Sequence, residues 1–189
     1  MESLTQRTEV LSILFGHTKG AFSGADDDNP GLVQQAEGGT LFFDEVGLLP
    51  LPLQAHLLRV LTQKEVRRTG ASEAERVDVR VLAASSENLQ MQVELGGFNR
   101  ELYEYLSAHQ VAMPPLRDRR EDIAPLVQQI VGAASRGLGR EPPSVSEEVL
   151  GLLQGYSFPG NIRQLRRILE QALRVSDGEI EPENLSLNA

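Results

Sequence analysis

Along the chain, the alternation of apolar and polar positions changes character once. Between residue 31 and about residue 116, short apolar runs alternate with segments of helical periodicity, the pattern of an α/β layer structure. Thr40-Leu41-Phe42-Phe43 is the clearest strand. Gly38-Gly39 introduce it and Asp44-Glu45 end it, and a continuous apolar run of this kind predicts a strand buried on both faces. Leu53, Leu57, Leu58 and Leu61 then recur at helical spacing. Residues 77–84 (VDVRVLAA) read as a second strand. Val111-Ala112-Met113 reads as a short third one, closed by Pro114-Pro115 because proline ends pairing. After that the strands stop. Residues 121–134, 146–154 and 162–175 read as amphipathic helices, with Ser144 and Ser146 equally good N-caps for the middle one. Ile162, Leu165, Ile168, Leu169 and Ala172 make one stripe on the last helix, and residues 136–143 and Phe158-Pro159-Gly160-Asn161 act as breakers. The expected organisation is an α/β body over residues 1–134 and a small helical lid over 135–189.

Composition narrows the functional classes. The 189 residues are 40% hydrophobic and 24% charged, enough apolar material for a packed core. The net charge of −9 argues against a general binder of nucleic acid or anionic membrane, since neutralising phosphates needs clustered Lys and Arg. There is no cysteine, so disulfide and thiolate chemistry is excluded. The three histidines, His17, His56 and His109, are too scattered for metal-ligand spacing. No apolar run approaches the ~18 residues of a membrane helix. The first ten residues lack the layout of a secretory signal, so a soluble cytoplasmic protein is expected.

The chemistry concentrates at Leu41-Phe42-Phe43-Asp44-Glu45. A buried strand that delivers two carboxylates at its C-terminal end suits a nucleoside triphosphatase. One carboxylate can hold Mg²⁺ through water and the other can polarise the attacking water. Taken alone, the same residues are equally compatible with an acidic pair that merely opens a surface loop. Four further blocks change that balance: LFGHTKGAFSGA at 14–25, LQAHLLRVL at 53–61, PPLRDRREDI at 114–123 and FPGNIRQL at 158–165. In this order and spacing, around GGTLFFDEVG at 38–47, they resemble the central AAA+ domain of sigma-54-dependent transcriptional activators, the bacterial enhancer-binding proteins. The resemblance runs from about Leu14 to Leu187.

The resemblance implies a P-loop NTPase-like parallel sheet flanked by helices, with a small C-terminal helical lid. It implies ATP and Mg²⁺ as cofactors, and Asp44 and Glu45 as the Walker B pair, with Asp44 on the metal. Gly20, Ala21, Phe22, Ser23, Gly24 and Ala25 match the GAFTGA loop, which contacts sigma-54 in this family. Phe22 would be the contact aromatic, and the glycines permit a tight, mobile turn. Arg163 matches the lid arginine that reaches nucleotide phosphates, and Ser86 falls in the sensor I segment.

The chain departs from the family at several catalytic positions. A phosphate cradle needs a glycine-rich turn carrying a lysine and a hydroxyl. The only lysines, Lys19 and Lys64, precede Gly20 and Glu65, so neither lies in a Gly-Lys-Ser/Thr sequence. Sensor I reads Ala84-Ser85-Ser86 where Ala-Thr-Asn is usual, and position 23 is Ser where the family has Thr. The two arginine-finger positions hold Asn99 and Tyr105, with Arg100 one residue out of place, about 100° around a helix. An arginine supplied across an interface is worth several powers of ten in phosphoryl transfer. ATP turnover by this chain alone is therefore not expected.

By resemblance, the family's first strand would sit between the sensor I strand and the one at 111–113. The front strand and P-loop are missing from this reading, with residues 1–11 as a poor filler. The lid ends at 179–185 without a helix-turn-helix, so no direct DNA binding is expected. The leading function is a degenerate AAA+ module that engages sigma-54, the RNA polymerase holoenzyme or intact activator subunits. Two alternatives stay open: an ATPase fragment active only with a partner supplying the phosphate loop, and a truncated remnant without function.

Overall fold

In the computed structural model, which describes residues 4–187, buried apolar side chains gather into two separate cores. They belong to two compact units, Met1–Gln110 and Val111–Ala189.

The first unit contains α1 (Leu4–Phe15), α2 (Gly31–Gln35), β1 (Thr40–Phe43), a 3-10 turn at Val46–Leu48, α3 (Leu51–Gln63), β2 (Glu65–Val66), β3 (Glu75–Arg76), β4 (Arg80–Ala83), α4 (Leu89–Glu94) and α5 (Arg100–Ser107). β1 and β4 pair in parallel with Thr40 opposite Arg80, Leu41 opposite Val81, Phe42 opposite Leu82 and Phe43 opposite Ala83. Parallel strands cannot be joined by a tight turn, and α3 makes the crossover between them. Pro50 leads into α3 with Pro52 in its first turn, where a missing N–H costs nothing. Lys64, at φ 55°, ends the helix in the left-handed conformation. Leu53, Leu57, Val60 and Leu61 bury one side of α3 against Phe43, Val46, Val66, Val77, Val79, Phe98 and Leu102. β2 and β3 form a small antiparallel pair.

Two strand expectations fail in instructive ways. β1 is not buried on both faces: Phe43 is inside, while Phe42 is 58% exposed and its register partner Leu82 46%. A two-stranded sheet with one face on the core leaves its other face open, whatever the hydrophobicity of the run. Val111-Ala112-Met113 forms no strand, and Val111 and Met113 are 83% and 75% exposed. Three apolar residues make a strand only where a neighbour offers a ladder, and none of the described strands pairs with them. Residues 4–11, read from the sequence as a poor filler for the sheet, begin the helix α1; residues 1–3 lie outside the described residues.

The second unit holds α6 (Ile123–Gly137), β5 (Ser144–Val145), α7 (Glu147–Gly155), α8 (Asn161–Val175) and β6 (Glu179–Ile180), with 3-10 turns at Leu116–Asp118, Arg120–Asp122 and Pro182–Asn184. β5 and β6 pair in parallel. Ser146, not Ser144, caps α7: its Oγ accepts from the Val149 N–H at 3.3 Å, while Ser144 is taken up in β5. Ile123, Val127, Ile130 and Val131 of α6 share one core with Val149, Leu153, Phe158, Leu165, Ile168 and Leu169. The lid unit thus starts near residue 111 and includes α6, which the expected boundary at 134 had placed in the body. The apolar stripe of α6 was visible in the sequence, but a stripe does not say which core it joins.

Candidate functional site

β1 and β4 end side by side, and the ladder runs slightly past both strands. The Ala84 N–H donates to the Phe43 carbonyl at 2.8 Å, and the Val46 N–H to the Ala84 carbonyl at 2.9 Å. This puts Asp44, Glu45, Ser85 and Ser86 together at the C-terminal edge of the parallel pair, the place where open α/β sheets bind ligands. Asp44 is exposed. Glu45 adopts φ 55° and ψ 52°, a left-handed conformation uncommon outside glycine. Its Oε2 accepts two hydrogen bonds, from the Ser86 N–H and from the Ser86 hydroxyl, both at 2.9 Å. The Ser86 N–H first, and then the hydroxyl, hold the Glu45 carboxyl below the usual carboxylate range. Glu45 is therefore a fixed, ionised acceptor at neutral pH.

The strand end thus presents two carboxylates, Asp44 and Glu45, and neither lysine of the chain stands in a phosphate-cradling turn beside them. Lys64 caps α3 and pairs with Asp78 at 3.4 Å. The Lys19 N–H is bonded to Asp28 Oδ1 in the loop after α1. Neither lysine sits in a glycine-rich turn at a helix start. No group of three or more His, Asp or Glu able to hold a metal occurs among the described residues.

Asn99 and Tyr105, expected at the finger positions, are both used within the unit. Asn99 is the N-cap of α5: its Oδ1 accepts from the Leu102 N–H at 2.9 Å. Its own N–H donates to Gln54 Oε1 at 2.7 Å. The Tyr105 hydroxyl donates to the Leu61 carbonyl at 3.1 Å at the end of α3. Arg100 is exposed. Gln54 was not singled out from the sequence, yet it is fully buried and organises this corner. Its Nε2 donates to the Leu49 and Gly97 carbonyls at 2.6 and 3.2 Å. The available signal was a polar residue lodged between Leu53 and Leu57 on an apolar helix face.

The segment Gly20–Ala25 forms a tight surface loop. The Gly20 N–H donates to the Ala25 carbonyl at 2.8 Å and the Ala25 N–H to the Phe22 carbonyl at 3.0 Å. Gly20 and Gly24, at φ 79° and 103°, sit where an L side chain is strained. Ala25 is buried, Ser23 exposed and Phe22 partly exposed. The Phe22 ring stands edge-on to the His17 imidazole, with centroids 5.0 Å apart and an interplanar angle of 63°. The base of the loop is bonded to the turn between β2 and β3, through the Thr18 N–H to the Thr69 carbonyl at 2.9 Å and the Thr69 N–H to the Gly16 carbonyl at 3.0 Å. Arg163 lies in the second unit, exposed in the first turn of α8. That turn is set by Asn161 at φ 49°, whose Oδ1 accepts from the Leu116 N–H at 2.8 Å.

Comparison with known proteins matches residues 4–112 to the family described as "Sigma-54 interaction domain" and residues 117–189 to "AAA+ ATPase lid domain". The chain is 43% identical over 180 residues to the sigma-54-dependent transcriptional regulator SfnR of Pseudomonas fluorescens, covering 95% of this chain and 49% of that protein. It is 42% identical over 169 residues to the nitrogen fixation protein AnfA of Azotobacter vinelandii, covering 89% and 32%. The chain thus spans a third to a half of these relatives. A crystal structure of NtrX from Brucella abortus in complex with ATP superposes with a TM-score of 0.84 at 31% identity, over 96% of this chain and 40% of that one.

Proposed function

The chain belongs to the sigma-54 interaction domain family, with an AAA+ lid behind it, and from that premise we propose that it acts in transcription regulation by binding sigma-54 through the loop Gly20–Ala25, without an ATPase cycle of its own. The partner is sigma-54 itself or the RNA polymerase holoenzyme that carries it, and intact activator subunits are a further candidate. The observation that carries this reading is the state of the loop: a glycine-bounded turn holds the partly exposed aromatic Phe22 against a fixed imidazole. Asn99 and Tyr105 support the second half of the reading. Where an arginine would reach across to a neighbour's nucleotide, both side chains are engaged in hydrogen bonds inside their own unit.

The test is capture of purified sigma-54 by the chain and by Phe22→Ala. Loss of capture with an unchanged melting curve supports the loop assignment, and undiminished capture removes it. A thermal melt with excess Mg²⁺-ATP tests nucleotide binding, without which no ATPase cycle can run. Ligand at about 100 times its Kd would add about 2.7 kcal/mol, a shift of a few degrees for a chain of this size.

A second reading, an ATPase completed by a partner that brings the phosphate loop, is favoured by Glu45. Its carboxylate is ionised and held by Ser86 at the strand end, as a group that polarises water needs to be. In that arrangement Asp44 would hold Mg²⁺, and Arg163 and Ser86 would approach the phosphates. The nucleotide would bring the phosphoryl group, and this chain's part would be to orient water and metal. A shift in melting temperature that requires such a partner distinguishes the two.

A further inference from the structure

His17 is held more firmly than a loop residue needs to be. α1 ends at Phe15, and Gly16, at φ 82°, turns the chain where a Cβ would lie 2.5 Å from the Asn29 carbonyl oxygen. His17 then exchanges two backbone hydrogen bonds with Asn29, both at 2.9 Å, and on its other side lies in a bridge with Thr69. Its main chain is therefore fixed from both sides. The ring is fixed as well: Nδ1 lies 2.6 Å from the hydroxyl of Ser12, a buried residue of α1. The imidazole also packs against the Phe22 ring in a T-shaped pair.

The loop's own bonds, Gly20 to Ala25, Ala25 to Phe22 and Ala21 to Thr18, are all between backbone groups. They close the turn, but they leave the Phe22 side chain free to choose its rotamer. The imidazole, packed against the ring with centroids 5.0 Å apart, limits this choice. We infer that His17, anchored by Ser12, is a positioning residue that presents Phe22 in one orientation for partner binding. Its effect on capture rests on the reading that Phe22 is the contact aromatic. The ring contact itself does not.

Two measurements separate these layers. The first uses the chain alone: the imidazole C–H proton resonances of His17 are compared between wild type and Phe22→Leu. Loss of the ring-current displacement is expected, and unmoved resonances overturn the inference even if sigma-54 binding is never seen. The second is a double-mutant cycle on sigma-54 capture with His17→Ala, Phe22→Ala and both. Removing His17 should weaken capture roughly three- to tenfold in the wild-type loop, the size of an edge-to-face aromatic contact, and add nothing when Phe22 is already absent. Equal losses in both backgrounds would mean a general structural role and would overturn the inference, as would no loss with the intact loop. Ser12→Ala serves where His17→Ala fails to fold. It removes the anchor while keeping every ring present, and a smaller loss in the same direction is expected. If Phe22→Ala leaves capture unchanged, the loop reading falls, and the resonances decide the positioning role alone.

Discussion

Glu45 and Ser86 are 41 residues apart in sequence, and a single carboxylate oxygen of Glu45 takes both the backbone and the side-chain hydrogen bond of Ser86. The contact exists because β1 and β4 run parallel and end in register. It places the second carboxylate of the strand end under the control of the segment after β4.

The first prediction concerns the titration of that carboxylate. Its folded-state pKa lies below the ordinary value, so the contribution of the contact is complete above the unfolded-state pKa and is lost as pH falls through the folded one. Ser86→Ala removes the hydroxyl and keeps the N–H. The Glu45 pKa should then rise part of the way toward the ordinary range, and Ser86→Gly should do the same. Carboxyl-carbon NMR titration of Glu45 reads this directly.

Gln54 offers a test of the corner that holds α5. Gln54→Ala leaves the Asn99 N–H and the Leu49 and Gly97 carbonyls without their partner and opens a void in a fully buried position. The cost should be roughly 2–4 kcal/mol. Gln54→Leu should recover little of it, because filling the space does not satisfy the polar groups. Urea unfolding of both variants would decide whether hydrogen bonding or volume matters more here.

Gly70 marks the contact between the β2–β3 turn and the Phe22 loop. At φ 84°, a Cβ there would lie 2.6 Å from Thr18 Oγ1 and 2.7 Å from the Ala21 Cβ. Gly96 has a similar φ of 74° but open space around it. Gly96→Ala should cost about 1 kcal/mol of backbone strain, and Gly70→Ala more, about 2–3 kcal/mol, with amide shifts spreading over residues 18–22. Equal costs for the two would show that the turn and the loop are not in firm contact.

Asn161 does two jobs at the start of α8, and two substitutions separate them. Asn161→Gly keeps the left-handed backbone and loses the bond to the Leu116 N–H, for about 1 kcal/mol. Asn161→Ala loses the bond and strains the backbone, for about 2 kcal/mol. The difference in melting temperature between them should be clear, with Ala the lower.

Much of this protein is legible in its sequence, and what is legible is local. α3, α7 and α8 show in apolar residues three and four apart, and β1 in a short run bounded by Gly38-Gly39 and Asp44-Glu45. The Gly20–Ala25 turn shows in its glycines. These features depend on neighbours within a few residues, where backbone geometry alone sets which side chains share a face.

Other features needed the fold. Val111-Ala112-Met113 has the composition of a strand and forms none, because pairing requires a partner that no local rule supplies. Phe42 belongs to a hydrophobic run and is exposed, because burial depends on what covers the face. The stripe of α6 was readable, but its membership of the lid core was not. Asn99 and Tyr105 looked like lost arginines, and only the structure showed one as a helix cap and the other bonded to Leu61. The sequence by itself determined β1, β4, α3, the three lid helices and the order of the chemical blocks, because those are set by short-range periodicity. Which distant groups meet, Glu45 with Ser86, His17 with Ser12 and Phe22, Gln54 with Asn99, was decided by tertiary structure, because hydrogen-bonding atoms separated along the chain come within reach only once the cores have packed.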